Sequence, residues 1–498
     1  MRTYENPIIP GFNPDPSICK VGEDYYLVTS SFEFSPGVPL WHSRDLVNWT
    51  QLGHILTRES QLPLKNCRVS GGIYAPTLRY HNGRFYMITT NTHVGGNFLV
   101  WAEDILGPWS DPVWIDHDGI DPSLFWDDDG RVYYTGTWID GDDPQGIGQF
   151  QIDIETGKKL SETKIIWYGT GGRCPEAPHM YKLGDWYYLM IAEGGTEYGH
   201  MVTMARSRNI WGPFESCPRN PILSHRDDIC SPFQAIGHAD ITIDDDGNWW
   251  MVFHGIRPTN AQLHHIGRET MLAPFVWDED GWPLVNCGKS VTAVMTGPGQ
   301  GTQIRKKCWR DDFHGNAYDP RWTWLRTPQM DHYILTGQSL TLRGSCTTLD
   351  DIDTSTFLGI RQQQLSIRYE TQMQFSGETG CAGITIFHTA EHHYDLCAKR
   401  VNRGVQLWLR KRVADILAES QPVLVDNTDS LVLRIDADKN FYTFSAGADS
   451  HHLITIGTGR TQLLSTEAMP CTFTGCFAGL FAEGDIEATF SYFTSEEI

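Results

Sequence analysis

Three carboxylic acids stand at equivalent points of three chain segments. Asp15 lies in Asn13-Pro14-Asp15-Pro16-Ser17, Asp121 in Gly119-Ile120-Asp121-Pro122-Ser123, and Glu176 in Cys174-Pro175-Glu176-Ala177-Pro178. If the three face one cavity, like charges at close range raise one another's pKa, which is costly unless it is used. One raised carboxyl beside one ionised carboxylate is what acid–base cleavage of a glycosidic bond requires. Taken singly, Asp before Pro or Ser reads as a turn or cap residue, and a lone Glu as surface. Their joint occurrence in one register is what points to chemistry. No Ser/His/Asp or Cys/His nucleophile motif stands out, and Gly-x-Ser-x-Gly and Gly-rich phosphate loops are absent.

The register comes from a repeat. A small or acidic pair, an apolar strand, a Gly turn and an aromatic strand recur from Asp15, Ala75, Asp121, Ala177 and His238. The aromatic strands carry Tyr25-Tyr26, Phe85-Tyr86, Tyr133-Tyr134, Trp186-Tyr187-Tyr188 and Trp249-Trp250. Asp-Asp-Asp-Gly at 127–130 and 244–247 are strong hairpin turns. A unit of about 40–60 residues with four strands and no helical period is a propeller blade. Five copies predict a five-bladed β-propeller, whose innermost strands line a central channel. That places Asp15, Asp121, Glu176 and His238 near one axis.

After Thr296-Gly297-Pro298-Gly299-Gln300-Gly301-Thr302 the repeat ends, so this stretch reads as a boundary. Residues 1–300 are assigned to the propeller and 301–498 to a second domain. Alternating strands at 365–370, 383–387, 405–409 and 431–435 have one apolar and one polar face, as in a β-sandwich. The whole chain is therefore expected to be all-β.

The net charge of −22 excludes phosphate backbones and anionic lipid as partners, since it offers no basic field. Aromatics at 12%, with 18 Trp, argue against disorder. No 18-residue apolar run and no secretory segment is present, so the reading is a cytoplasmic protein without a membrane span. The 12 Cys have irregular spacing and read as mostly reduced, buried small hydrophobes.

The three acid motifs resemble those of glycoside hydrolase family 43, the five-bladed β-xylosidases and α-L-arabinofuranosidases. Ser30–Pro39 and Ile266-Gly267-Arg268-Glu269-Thr270 are similar to its β-xylosidase branch, and the second half is similar to that branch's concanavalin-like β-sandwich. The resemblance implies Asp15 as the general base that activates water and Glu176 as the general acid. Asp121 would hold Glu176 in position and tune its pKa. It implies inversion at the anomeric carbon, with a water between sugar and base. Arg268 would bind sugar hydroxyls and offset the acids, with a structural ion pair as its other reading. Phe32 and Tyr74 would wall the sugar, although the family pattern more often has Trp at the position of Tyr74. Trp138 and Thr196 are further substrate-binding candidates, with core or turn roles as the alternative.

No cofactor is required by this chemistry. In some members the residue equivalent to His238 helps hold a divalent cation, often Ca²⁺, at the propeller axis. The alternative for His238 is a hydrogen bond that organises the acids. His254 and His200 read as structural. The implied substrate is a xylo- or arabinoxylo-oligosaccharide, cut from its non-reducing end, with the sandwich closing one side of the pocket. Relatives commonly assemble as homo-oligomers. The alternatives are arabinofuranosidase as the main activity, or a non-catalytic carbohydrate-binding propeller, which would not need three acids. Ser43–Trp49 is similar to the Asp-box turn of sialidases, but it lacks the internal Gly, and the channel candidates are acids rather than an Arg trio.

Overall fold

In the computed structural model, residues 3–259, 262–298, 308–402, 404–426, 430–470 and 472–498 are described. Five antiparallel blades follow one another along the chain, three of four strands and two, the third and fourth, of five. Their innermost strands are Ser17–Val21, Thr77–His81, Ser123–Trp126, Glu176–Leu183 and Gln234–Ile243. Each packs against the innermost strand of the next blade, and the fifth packs against the first, which closes the ring. Thr3–Glu5 pairs with Val294–Thr296, next to the expected boundary. The rest of that Gly-rich stretch, from Gly299 onward, lies outside the described residues.

The Asp-Asp-Asp-Gly segments form the hairpins expected. Gly130 and Gly247 adopt φ of 81° and 83°, a region open to Gly at little cost. Their N–H groups close the turns onto the carbonyls of Asp127 and Asp244. Between blades the alternate side chains form apolar layers, for example Val28, Leu40, Leu78, Met87 and Val100 between blades one and two.

The axis itself is polar below the acids. Asp240, from blade five, accepts hydrogen bonds from Ser17 Oγ at 2.8 Å, Tyr181 Oη at 2.6 Å and Arg79 Nη1 at 2.8 Å. Arg79 Nη2 stands 2.9 Å from His179 Nδ1. Blades one, two, four and five are thus pinned across the channel. A buried charge is tolerated here because it is both paired and hydrogen-bonded.

The second domain is a β-sandwich built on two long strands, Ile367–Thr389 and Phe477–Glu497, paired to each other. The expected strands 365–370 and 383–387 are two ends of the first of these. Straight, its 23 residues would span roughly 75 Å, far more than the width of a domain of this size. The pair bends instead, with register shifts at Gln372/Met373 and Ser376/Thr379. One end of the strand pairs with Leu431–Ala437 and the other with His392–Val401. A single strand therefore serves both layers.

The two domains share backbone and core. Phe34–Ser35, after the first hairpin of blade one, pairs with Trp324–Leu325. Phe34 stacks on Phe477 at 4.1 Å between ring centroids, and Phe12 packs on both. All 11 described Cys are free thiols; six are buried, Cys174 is half-buried, and Cys230, Cys287, Cys308 and Cys346 are exposed. Among the described residues no helix is long and apolar enough to cross a membrane.

Candidate active site

Asp15 and Asp121 immediately precede innermost strands, Glu176 opens one, and His238 lies within another. All five strands start from the same end of the ring, so these residues converge there. The repeat position is marked by its backbone as well. Asp15, Asp121, Ala177 and His238 have φ of 57°, 56°, 53° and 51°. The left-handed region costs an L-residue roughly 1–2 kcal/mol, and such strain persists where the surrounding structure over-determines it. The surroundings here are specific. Asn13 N–H donates to Arg268 O at 2.9 Å and Ser30 N–H to Pro14 O at 3.1 Å, which fixes the approach to Asp15. Ile120 and Thr137 exchange bonds at 2.7 and 3.0 Å, which fixes the approach to Asp121.

Asp15 is buried and encircled. Arg268 Nη1 donates to Oδ1 at 2.7 Å and Ser30 Oγ donates to Oδ2 at 2.5 Å. His254 Nδ1 accepts the Asp15 N–H at 3.0 Å and stands 3.1 Å from Oδ1, and His238 Nδ1 stands 3.5 Å from it. Burial opposes the Asp15 charge; the Arg268 guanidinium is the largest of the several effects that favour it, and together they hold the carboxyl well below the usual range. Burial keeps His238 below its ordinary pKa and takes His254 down to about 3, so both rings are neutral.

Glu176 has the opposite environment. Burial, and after it the charge on Asp15, pushes its carboxyl up to about 7. Asp121 is also raised, by burial first and then by Glu176 and Asp15. Its Oδ2 accepts the Ala177 N–H at 3.2 Å, so it grips the residue next to Glu176. No hydrogen bond joins Asp15 to Glu176. The arrangement thus offers an ionised carboxylate, Asp15, and a raised, proton-bearing carboxyl, Glu176, with Asp121 raised beside it and holding the backbone next to Glu176.

The remaining sequence candidates divide. Thr196 Oγ1 accepts from Arg268 Nη1 at 3.1 Å, so both belong to the Asp15 group. Phe32 and Tyr74 are neighbours, with ring centroids 5.1 Å apart. Trp138 lies at the same end of blade three as Asp121, but its ring stacks on His117 at 4.4 Å rather than meeting the acids. His254, expected to be structural, touches the Asp15 backbone and carboxylate. It stands opposite Gly237, one residue from His238, in the paired second strand.

Two further residues escaped the sequence reading. Ser30 sits in the quoted Ser30-Ser31 pair, but nothing marked its hydroxyl as the partner of Asp15. Phe473, from the sandwich, completes the aromatic wall. Its ring lies 6.0 Å from Phe32, 6.1 Å from Tyr74 and 5.9 Å from the Arg268 guanidinium. Its backbone is tied in by Ser70 Oγ, which accepts its N–H at 2.9 Å, and by Arg268 Nη2, which donates to its carbonyl at 3.3 Å.

A cleft of about 780 Å³ opens elsewhere, at the hairpin turns of blades one and five, lined by Tyr25, Asp244, Trp249 and Trp277 among others. Of its carboxylates, Asp244 is engaged by Trp250 and Asn248, and Asp245 by Lys20. Asp245 and Asp246 lie on an exposed hairpin turn rather than in a buried site, so the chemistry is assigned to the axis.

The profile of Glycosyl hydrolases family 43 matches residues 4–283. The chain belongs to glycoside hydrolase family 43. A second profile, the Beta xylosidase C-terminal Concanavalin A-like domain, matches residues 310–496. The family 43 chain is 40% identical to a Non-reducing end alpha-L-arabinofuranosidase, BoGH43B, of Bacteroides ovatus, over 98% of this chain and 92% of that protein. It is 37% identical to a Xylosidase/arabinosidase of Butyrivibrio fibrisolvens, over the full length of both. The fold superimposes on the Bacteroides ovatus xyloglucan-PUL GH43B structure with a TM-score of 0.93, covering both chains fully at 40% identity. A xylan beta-1,4-xylosidase structure from Bacillus halodurans gives 0.92 at 31% identity, covering 99% of this chain and all of that one. The resemblance read from the acid motifs and the propeller-plus-sandwich architecture are borne out.

Proposed function

We propose that this family 43 enzyme is an inverting exo-glycosidase. It releases xylose, and also α-L-arabinofuranose, from the non-reducing ends of xylo-oligosaccharides. The observation that carries the reading is the opposed state of Asp15 and Glu176 at one end of the axis. Asp15, kept ionised by Arg268, takes a proton from the attacking water. Glu176, kept protonated by burial and by Asp15, gives its proton to the leaving oxygen. Asp121 holds Ala177 and so the bearing of Glu176. Arg268 and Thr196 bind hydroxyls, while Phe32, Tyr74 and Phe473 face the apolar side of the sugar ring. Phe473 comes from the second domain and closes one side, which favours a terminal residue over an internal one.

The sugar assignment draws on the relatives, whose names include xylosidase and arabinofuranosidase activities. Both sugars present hydroxyls in similar positions, which supports dual action. The reaction needs no cofactor. Asp15, His238 and His254 could bring three ligand atoms within 4.8 Å of one another, but they do not suit a directly bound calcium. Calcium prefers oxygen ligands, two of these atoms are ring nitrogens, and the Asp15 oxygen already faces Arg268. Assays on aryl β-xyloside and aryl α-L-arabinofuranoside test the reading. Turnover of one or both is expected; turnover of neither overturns it.

A further inference from the structure

The second strand of blade four, Trp186–Glu193, ends on a glutamate for which the chemistry above has no use. Glu193 is fully buried. Among the described residues no cation pairs with it. Its oxygens are met instead by backbone and hydroxyl donors. Thr170 N–H lies 2.9 and 3.0 Å from the two oxygens, and Gly172 N–H lies 2.9 Å from Oε1. The hydroxyls of Thr170 and Thr203 donate to Oε2 at 3.1 and 2.6 Å. An ionised carboxylate only accepts, so it satisfies all of these groups; a protonated acid would turn its own hydrogen toward a donor.

The segment it holds is fitted to it. A Cβ on Gly169 would stand 2.5 Å from Glu193 Oε1, and one on Gly172 would stand 2.9 Å from Glu193 Cβ. Only Arg173, Cys174 and Pro175 separate this segment from Glu176. Gly194 N–H donates to Arg173 O at 2.6 Å, which ties the same stretch to the residue after Glu193. Ala192, the residue before it, pairs in register with Glu176. Beyond Gly194 and Gly195 comes Thr196, the hydroxyl bonded to Arg268. One carboxylate thus stands at the root of both loops that reach the acids.

We propose that Glu193 is a positioning residue: its carboxylate clamps residues 169–172 and thereby sets the reach of the Glu176 proton toward the leaving oxygen. This rests on Glu176 acting as the general acid. A residue that acts through the acid should matter in proportion to how much the leaving group needs a proton.

The test compares kcat/KM of wild type, Glu193→Gln and Thr203→Val on three substrates: xylobiose, phenyl β-xyloside and 2,4-dinitrophenyl β-xyloside. The Glu193→Gln change sets an amide NH₂ in place of one oxygen against the same donors. This variant is expected to lose about 10–100-fold on xylobiose and phenyl xyloside, mostly in kcat, and less than about threefold on the dinitrophenyl substrate. Thr203→Val removes one donor to the same carboxylate and should show the same trend at smaller size. It keeps the proposal testable if Glu193→Gln does not fold. Equal losses on all three substrates, or no loss on any, overturn the role of Glu193. A wild type inactive on every substrate, or a Glu176→Ala variant without the same leaving-group dependence, would instead overturn the reading on which it rests.

Discussion

Removing the Glu176 carboxyl separates the two halves of the reaction. Glu176→Ala should lower kcat/KM on xylobiose at least about 100-fold, with partial recovery on an aryl xyloside whose leaving group needs little protonation. Asp15→Ala should lose activity on both substrates alike, and steady-state kinetics on the pair would show the difference. The pH profile follows from the same two groups. The active form has Asp15 ionised and Glu176 protonated, so kcat/KM should fall as pH rises through about 7. The acid limb should lie below the usual carboxylate range, where Asp15 takes up its proton. Glu176 also carries a stability term. Its pKa is raised in the folded state, so it favours folding below its unfolded value of 4.5 and loses that contribution as pH rises through about 7. Glu176→Gln cannot ionise, and its Tm advantage over wild type should grow across that window. The three acids were legible because a repeat put them in register. Ser30 and His254 were not, because their partnership with Asp15 depends on which way side chains from other strands turn, and no local pattern encodes that.

At the scale of elements, the pocket is built by parts distant in sequence. The innermost strands supply the acids, the turns after Val28 and Ile73 supply Phe32 and Tyr74, and the stretch before Phe477–Glu497 supplies Phe473. Phe473→Ala should lower kcat/KM on xylobiose about tenfold, mainly through KM, if the proposed aromatic wall binds the sugar without touching the proton transfers. Phe473→Leu should fall between the two. An unchanged KM in Phe473→Ala would remove the sandwich from the pocket. The blades were readable because each repeats an alternating strand, a Gly turn and an aromatic strand. The long sandwich strand was read as two, because Ser376-Gly377-Glu378-Thr379-Gly380 interrupts the apolar alternation while the backbone pairing with Phe477–Glu497 runs on past it. Phe473 had no such signal: it is a single aromatic outside any strand, and its use depends on how the domains dock.

For the whole molecule, the domains share one interface core, and the sandwich carries a charged network of its own. His393, Asp395, Arg410 and Glu483 are all buried. Arg410 bridges Asp395 at 2.7 Å and Glu483 at 2.7 Å, and His393 Nδ1 stands 2.8 Å from Asp395. Burial works against the His393 charge, but Asp395 and Asp350 outweigh it and raise its pKa to about 9. A raised histidine contributes stability fully below its unfolded value of 6.5, and that contribution disappears as pH rises through the folded value. The Tm should therefore fall between about pH 6.5 and 9, and His393→Gln should lack this slope. The window extends above the one set by Glu176 and overlaps it only between about pH 6.5 and 7, so thermal melts across pH can resolve both. None of this network was legible in the sequence: Glu483 lies far along the chain from the other three, and the side-by-side pairing of the strands that carry them brings them together.

The account turns on a water-activating Asp15 and a protonating Glu176 acting on a terminal sugar. Hydrolysis of xylobiose and arabino-xylo-oligosaccharides, followed by ¹H NMR from the first moments of reaction, tests this most directly. Single sugars should leave the non-reducing end, and xylose should appear first as its α-anomer before mutarotation. Xylose appearing first as the β-anomer, or internal cleavage to longer products, would contradict it.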